Sequence, residues 1–62
     1  MTKILATFTN DELGVEARIG EYYKGGFSVV LFDTDADLAV PGAKLIADYD
    51  EAVTYAKALV AG

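Results

Sequence analysis

The sequence predicts an α+β domain in which a three- to four-stranded antiparallel meander sheet carries one C-terminal helix packed on one face. Three observations favour this fold: apolar and polar residues alternate in the first half, turn residues separate these runs, and a helical period occupies the tail. Because the chain has 62 residues and neither a linker nor an internal repeat, we expect one domain over residues 1–62.

The first two strands are predicted from alternation at a period of two, over residues 3–9 and 14–23. In "KILATFT", Ile4, Ala6 and Phe8 share one side of the strand, and Leu5 and Thr7 lie on the other. The stretch "NDELG" between the two runs contains the residue types that favour a chain reversal.

A third strand is predicted over residues 27–33, after a hairpin turn at "KGG". Its sequence, "FSVVLFD", is apolar on both faces, which is typical of a strand that is central or covered on both sides. Residues 43–47, "AKLIA", are a candidate fourth strand after a turn at "VPG". If they pair with the third strand, its outer edge is covered.

The tail "DYDEAVTYAKALVAG" predicts a helix. Asp48 is placed to cap its first turn, and Glu51 follows at the capping-box spacing. One face of the helix carries side chains that we expect to pack on the sheet: Tyr49, Ala52, Val53, Ala56, Leu59 and Val60. The alanines on this face indicate that the helix approaches the sheet closely.

The charge and the missing residue types exclude several classes of protein. Lys plus Arg number 5 and Asp plus Glu number 10, and this net charge of −5 argues against direct binding of nucleic acid. The chain has no histidine and no cysteine, so we predict no enzyme, no catalytic residue, no cofactor and no metal site of the usual kind. No apolar run approaches the length of about 18 residues that spans a membrane, and the N-terminus lacks a cleavage pattern. We therefore expect a cytoplasmic protein without membrane contact.

Three aspartates at alternate positions, Asp33, Asp35 and Asp37, follow the third strand. Because they would continue its buried face, and because burial of unpaired charge is prohibitive, the strand must end near Asp33. A solvated turn whose aspartates bond to their own backbone amides is one interpretation. A second is a calcium loop, although Leu38 and Lys44 depart from the glycine and glutamate that such a loop requires. A third is an acidic contact surface.

The helix covers one face of the sheet, so the reverse face needs a second explanation. On the predicted register it carries Leu5, Tyr22, Val30 and Phe32, beside a possible pair of Glu16 with Arg18. Apolar surfaces with a polar rim usually mark an interface. We therefore predict a homodimer, formed through this face or by pairing of strand edges. The alternative is that "DLAVPGA" folds back over Val30 and Phe32.

The stretches "KGGFSVVLFDTDAD" and "DYDEAVTYAKALV" together resemble small phage-borne and environmental β-meander-plus-helix proteins of unassigned function. In these, a "G-F-x-V-x-L-x-D" strand and a "D-E-A-x-x-Y-A-K" helix enclose a variable acidic loop. The resemblance covers roughly residues 22–60, and its motifs are structural, so no functional residue is carried over. By analogy it implies a protein that acts by binding, such as a host-takeover inhibitor or an anti-defence protein.

The functional hypothesis is a small, acidic, non-enzymatic interaction protein, dimeric, that binds and modulates a macromolecular partner, a protein, with inhibition as the expected effect. The dimer is expected to use Leu5, Tyr22, Val30 and Phe32. The partner is expected to meet an acidic contact made of Asp11, Glu12, Asp33, Asp35 and Asp37. The alternative is a small cation-binding module built on the aspartate loop.

Overall fold

The computed structural model describes residues 3–22 and 24–61. The elements in chain order are β1 (Ile4–Asn10), β2 (Val15–Glu21), β3 (Phe27–Asp33), β4 (Leu38–Ala39), β5 (Lys44–Ile46) and α1 (Tyr49–Ala61). Every strand pairing is antiparallel, and all five strands belong to one sheet with α1 packed on one side. The predicted α+β fold is confirmed.

The first three strands form the predicted meander, with β2 in the middle. The pairing of β1 with β2 is irregular at its start, where Ile4 lies opposite Gly20 but Ala6 lies opposite Ile19. Leu5 is the additional residue at this bulge, and an additional residue reverses the alternation of side chains. The prediction that Ile4 shares a side with Ala6 is therefore wrong, because strict alternation assumes an unbroken ladder.

The outer edge of β3 is covered by two short strands. β5 confirms the candidate strand at residues 43–47, and its Leu45 lies opposite Ser28. β4 was not predicted, since two residues are too few to show a period; it pairs Leu38 with Asp33. The register shifts by two residues between β4 and β5, across the segment that contains Pro41 and Gly42. The segment "DLAVPGA" thus extends the edge of the sheet and does not fold back over its open face.

The core lies between the sheet and one face of α1. Its fully buried side chains come from two strands and the helix, namely Ala17, Ile19, Val29, Ala52 and Ala56. Larger, partly buried residues surround them: Ala6, Phe8, Phe27, Leu31, Ile46, Val53, Tyr55, Leu59 and Val60. Two alanines on the contact face of α1 let its backbone approach the strands closely, as the sequence predicts.

Both ends of α1 are tied to the rest of the chain. The helix begins one residue after Asp48, whose Oδ1 accepts a long hydrogen bond of 3.4 Å from Asp50 N, so the predicted cap position is confirmed. At the other end, Asn10 Nδ2 donates to the carbonyl oxygen of Val60. β2 ends at Glu21, earlier than predicted, and Tyr23 lies outside the described residues. Within residues 3–22 and 24–61, no helix is long and apolar enough to cross a membrane.

Candidate functional site

Two acidic turns lie side by side at one end of the sheet. The pairing of Val15 with Asp33 places the turn at residues 11–14 next to the turn at residues 34–37. Thr34 N donates to Gly14 O at 2.8 Å and joins them. The fold therefore gathers the five carboxylates that the sequence singles out as a contact. We call the set of Asp11, Glu12, Asp33, Asp35 and Asp37 the acidic end.

The carboxylate of Asp33 also stabilises the turn that follows β3. β3 ends at Asp33, whose Oδ1 accepts from Asp35 N at 3.0 Å and from Ala36 N at 3.1 Å. The predicted bonding of an aspartate to its own following amides is confirmed. Asp35 lies against the α-carbon of Gly14, where a Cβ would overlap its Oδ2. Asp37 has a φ of 55°, a left-handed conformation that aspartate tolerates better than most residues.

Asn10 organises the acidic end, although it is not among the residues predicted for a site. Its Oδ1 accepts from Glu12 N at 3.1 Å and from Leu13 N at 3.2 Å, while its Nδ2 donates to Val60 O. The bond from Asn10 Nδ2 to Val60 O brings the C-terminus of α1 to the acidic end. The last turn of α1 contains no basic residue, so its partial negative charge adds to that of the carboxylates. The signal in the sequence that would have identified Asn10 is the position of an asparagine just before a turn.

The aspartate loop is also the predicted alternative site for a cation. Among the residues that the structure describes, no group of three or more acidic, histidine or cysteine side chains is arranged to hold a metal ion. The cation-binding alternative stays a prediction, and calorimetry with millimolar calcium tests it. Heat of binding together with a raised melting temperature would support it; their absence would contradict it.

The side of the sheet turned away from α1 is a second surface, which we call the open face. A shallow concavity of about 160 Å³ lies on it. The residues lining this concavity are Ile4, Arg18, Gly20, Ser28, Val30 and Phe32. Val30 and Phe32 are half-buried there, in agreement with the predicted register.

The other two residues predicted for the dimer, Leu5 and Tyr22, are not among the residues that line this concavity. Leu5 is at the bulge of β1, and Ile4 takes its expected place at the concavity. Tyr22 follows β2 directly and is half-buried, and its backbone closes the hairpin turn through bonds with Gly25 and Gly26. The bulge is the physical reason why Ile4, and not Leu5, lies at the concavity.

Arg18 covers part of the open face. Its Nε donates to Glu16 Oε2, as the predicted pair requires, and its guanidinium carbon lies 3.9 Å from the centroid of the Phe32 ring. The hydrogen bond from Arg18 lowers the pKa of Glu16 below its usual value, with a smaller contribution from Thr9. Because the guanidinium of Arg18 lies over the ring of Phe32, this ring is less exposed than the sequence suggests.

Two large side chains leave the open face apolar despite this cover. Ile4 is 51% exposed. Leu45 is 57% exposed, and its pairing with Ser28 places it on the same side as the concavity. Leu45 was missed because its side could not be assigned before the register of β5 was known.

The fold defines the chain as an α+β protein with an antiparallel sheet, one covered face and an acidic end. The chain matches no protein-family model, and no curated protein or solved structure matches it either.

Proposed function

We propose that the chain is a small, acidic, non-enzymatic interaction protein that forms a homodimer and binds and inhibits a protein partner. The observation that carries the proposal is the open face, where Ile4 and Val30 line a concavity on the side away from α1 and Leu45 lies exposed on the same side. The resemblance to phage-borne proteins extends the proposal to a host-takeover or anti-defence factor that acts in the cytoplasm.

The open face is the surface that we assign to self-association. A chain of 62 residues without cysteine has a small core, so burial of further apolar surface stabilises it substantially. In a two-fold dimer the same patch meets itself, and the Glu16–Arg18 pair would form part of a polar rim. The β4–β5 edge is less suited, because Pro41 and the register shift interrupt it.

The acidic end is the surface that we assign to the partner. Five carboxylates and the C-terminus of α1 concentrate negative charge there, so a basic patch on a protein is the complementary surface. If that patch normally binds nucleic acid, the carboxylates take the place of phosphates and compete with it. Binding should therefore weaken steeply as the salt concentration rises.

Sedimentation of the Val30→Glu variant tests the dimer. Two like charges facing each other across the two-fold axis should convert the protein to a monomer, whereas wild type sediments as a dimer. Thr54→Glu is the matched control, because Thr54 is exposed on α1, on the other side of the sheet. A monomeric wild-type protein at high concentration would contradict the proposal.

Capture of partners from a bacterial lysate tests the acidic end. Asp35→Asn/Asp37→Asn removes two exposed charges and keeps Asp33, which holds the turn. This variant should lose a partner that wild type retains at low salt. Glu21→Gln/Asp48→Asn removes the same charge at the other end of the sheet and should retain that partner. Equal retention by both variants would contradict the role of the acidic end.

A further inference from the structure

α1 leaves part of its own side of the sheet uncovered. The helix packs over the first three strands and contacts β5, where Lys44 Nζ lies 5.7 Å from the centroid of the Tyr55 ring. Among the described residues it makes no contact with β4. A strip of sheet beside the helix therefore stays open along β4.

The register places apolar side chains on this strip. Val40 N donates to Leu31 O at 2.7 Å, so Val40 lies beside Leu31, which packs into the core under α1. Leu38 lies opposite Asp33, two residues further along β3, and therefore on the same side. Leu38 is 65% exposed and Val40 is 40% exposed. Both side chains lack the cover that the rest of this side receives from the helix.

One flank of α1 lies on the other side of this strip, without contact to β4 among the described residues. A depression of about 450 Å³ runs along it, lined by Asp50, Glu51, Thr54, Tyr55 and Ala58. The contact of Tyr55 with Lys44 shows that this flank faces β5. We call the strip between Leu38, Val40 and this flank the side groove.

The charges around the side groove are mostly negative. Asp33 and Asp37, which flank the turn between β3 and β4, border one end. Asp50 and Glu51 border the other end. Within the described part of the chain, Lys44 is the single cation between these two ends. An apolar floor with acidic ends is complementary to a segment that is apolar on one side and basic at its ends.

We propose that the side groove binds a cationic amphipathic helix of a protein partner. The apolar floor lies beside residues 31–33 of β3 only. The acidic borders lie toward the two ends of β3, because Asp33 ends this strand and the first turn of α1 packs against Phe27 at its start. The seven residues of β3 measure about 20 Å, which a helix of about 13 residues spans. This inference rests on the proposed function, since the acidic end supplies one border of the groove. The inference adds to the proposed function that the partner presents an amphipathic helix.

A designed peptide of 13 residues tests the proposal, with leucines at helical spacing on one side and lysines on the other. Its affinity is measured by fluorescence anisotropy beside a scrambled peptide of the same composition. Leu38→Gln/Val40→Thr should weaken binding of the amphipathic peptide roughly tenfold or more. Leu13→Gln is the matched control, because Leu13 is a similarly exposed leucine, 50%, in the other turn. It should bind as wild type does.

Four outcomes overturn the side groove. The first is equal affinity of wild type and Leu38→Gln/Val40→Thr for the amphipathic peptide, and the second is equal affinity of wild type for both peptides. The third is a change of oligomeric state in Leu38→Gln/Val40→Thr, which would make the groove a contact between two copies. Amide chemical shifts should change beside Leu38, Val40 and Tyr55; changes confined to the open face would contradict the site.

The Asp35→Asn/Asp37→Asn variant separates this inference from the proposed function. If it weakens binding of the scrambled peptide while Leu38→Gln/Val40→Thr has no effect on either peptide, the acidic end stands and the groove fails. If it changes the binding of neither peptide, the proposed role of the acidic end fails with the groove.

Discussion

Arg18 lies over the ring of Phe32, with its guanidinium carbon 3.9 Å from the ring centroid, and donates through Nε to Glu16. The three residues belong to adjacent strands, with Glu16 directly opposite Phe32. One arginine thus covers an aromatic ring and pairs a carboxylate on the open face. Ile4 and Leu45 have no such cover among the contacts described, and they remain the most exposed apolar side chains of this face.

The contact of Arg18 with Phe32 predicts an energetic coupling. A cation over an aromatic ring at a partly exposed site contributes about 0.5–1 kcal/mol. Urea unfolding of Arg18→Gln, Phe32→Leu and the double variant should give a coupling free energy in this range. Additive effects of the two substitutions, within about 0.3 kcal/mol, would contradict the contact.

The bond between Arg18 and Glu16 predicts a pH dependence of stability. Because the pKa of Glu16 is lowered in the folded protein, its contribution is present above the unfolded pKa of about 4.3 and is lost as the pH falls through the folded value. The melting temperature of wild type should exceed that of Glu16→Gln at pH 6, and the difference should shrink on acidification below about pH 4.3. In an Arg18→Gln background the difference should change little with pH; an unchanged slope there would contradict the cause.

Gly14 should not accept a side chain, for two reasons that can be separated. Its φ of 68° is left-handed, and an added Cβ would overlap Asp35 Oδ2. We expect Gly14→Ala to lower the free energy of unfolding by at least about 1–2 kcal/mol, the cost of the left-handed conformation alone. Asp35→Ala removes the overlapping oxygen, so the cost of Gly14→Ala should be smaller in that background. An equal cost in both backgrounds would show that the overlap has no effect.

Asn10→Asp should destabilise the protein although it keeps the acceptor for Glu12 N and Leu13 N. The new carboxylate cannot donate to Val60 O and brings negative charge to the C-terminus of α1. The expected loss is about 1–3 kcal/mol, measured by urea unfolding at neutral pH. Asp11→Asn, in the exposed turn beside it, should change stability by less than about 0.5 kcal/mol. Equal stabilities of the two variants would contradict the role of Asn10.

The close approach of α1 to the sheet predicts that Ala56 cannot be enlarged. Ala56 is fully buried, and a larger side chain there must push the helix from the strands. Ala56→Leu should cost about 1–3 kcal/mol in unfolding experiments. Ala58→Leu places the same side chain at an exposed helical position and should be nearly neutral. If Ala56→Leu is tolerated as well as Ala58→Leu, that result would contradict the close approach of α1 to the sheet.

The fold was predictable because patterns of residues close together in the sequence indicated each of its main elements. Alternation predicted the first two strands, a run that is apolar on both faces predicted the third, and turn residues predicted their connections. Asp48 and the alanine-rich face of α1 predicted the helix. The end of β3 near Asp33 followed from the cost of burying a charge. Each of these inferences needs only neighbours in the sequence, and the carboxylates of the acidic end were found by the same reasoning.

The register and the placement of the edges were decided by tertiary structure. The bulge at Leu5 moved Ile4 to the open face, and the pairing of β5 brought Leu45 to it. The grouping of Asp11 and Glu12 with the aspartate loop and the uncovered strip at Leu38 depend on which strands become neighbours. Side-chain period reports which residues share a side of one strand, but hydrogen bonds between distant segments decide which strands meet and where a ladder is interrupted.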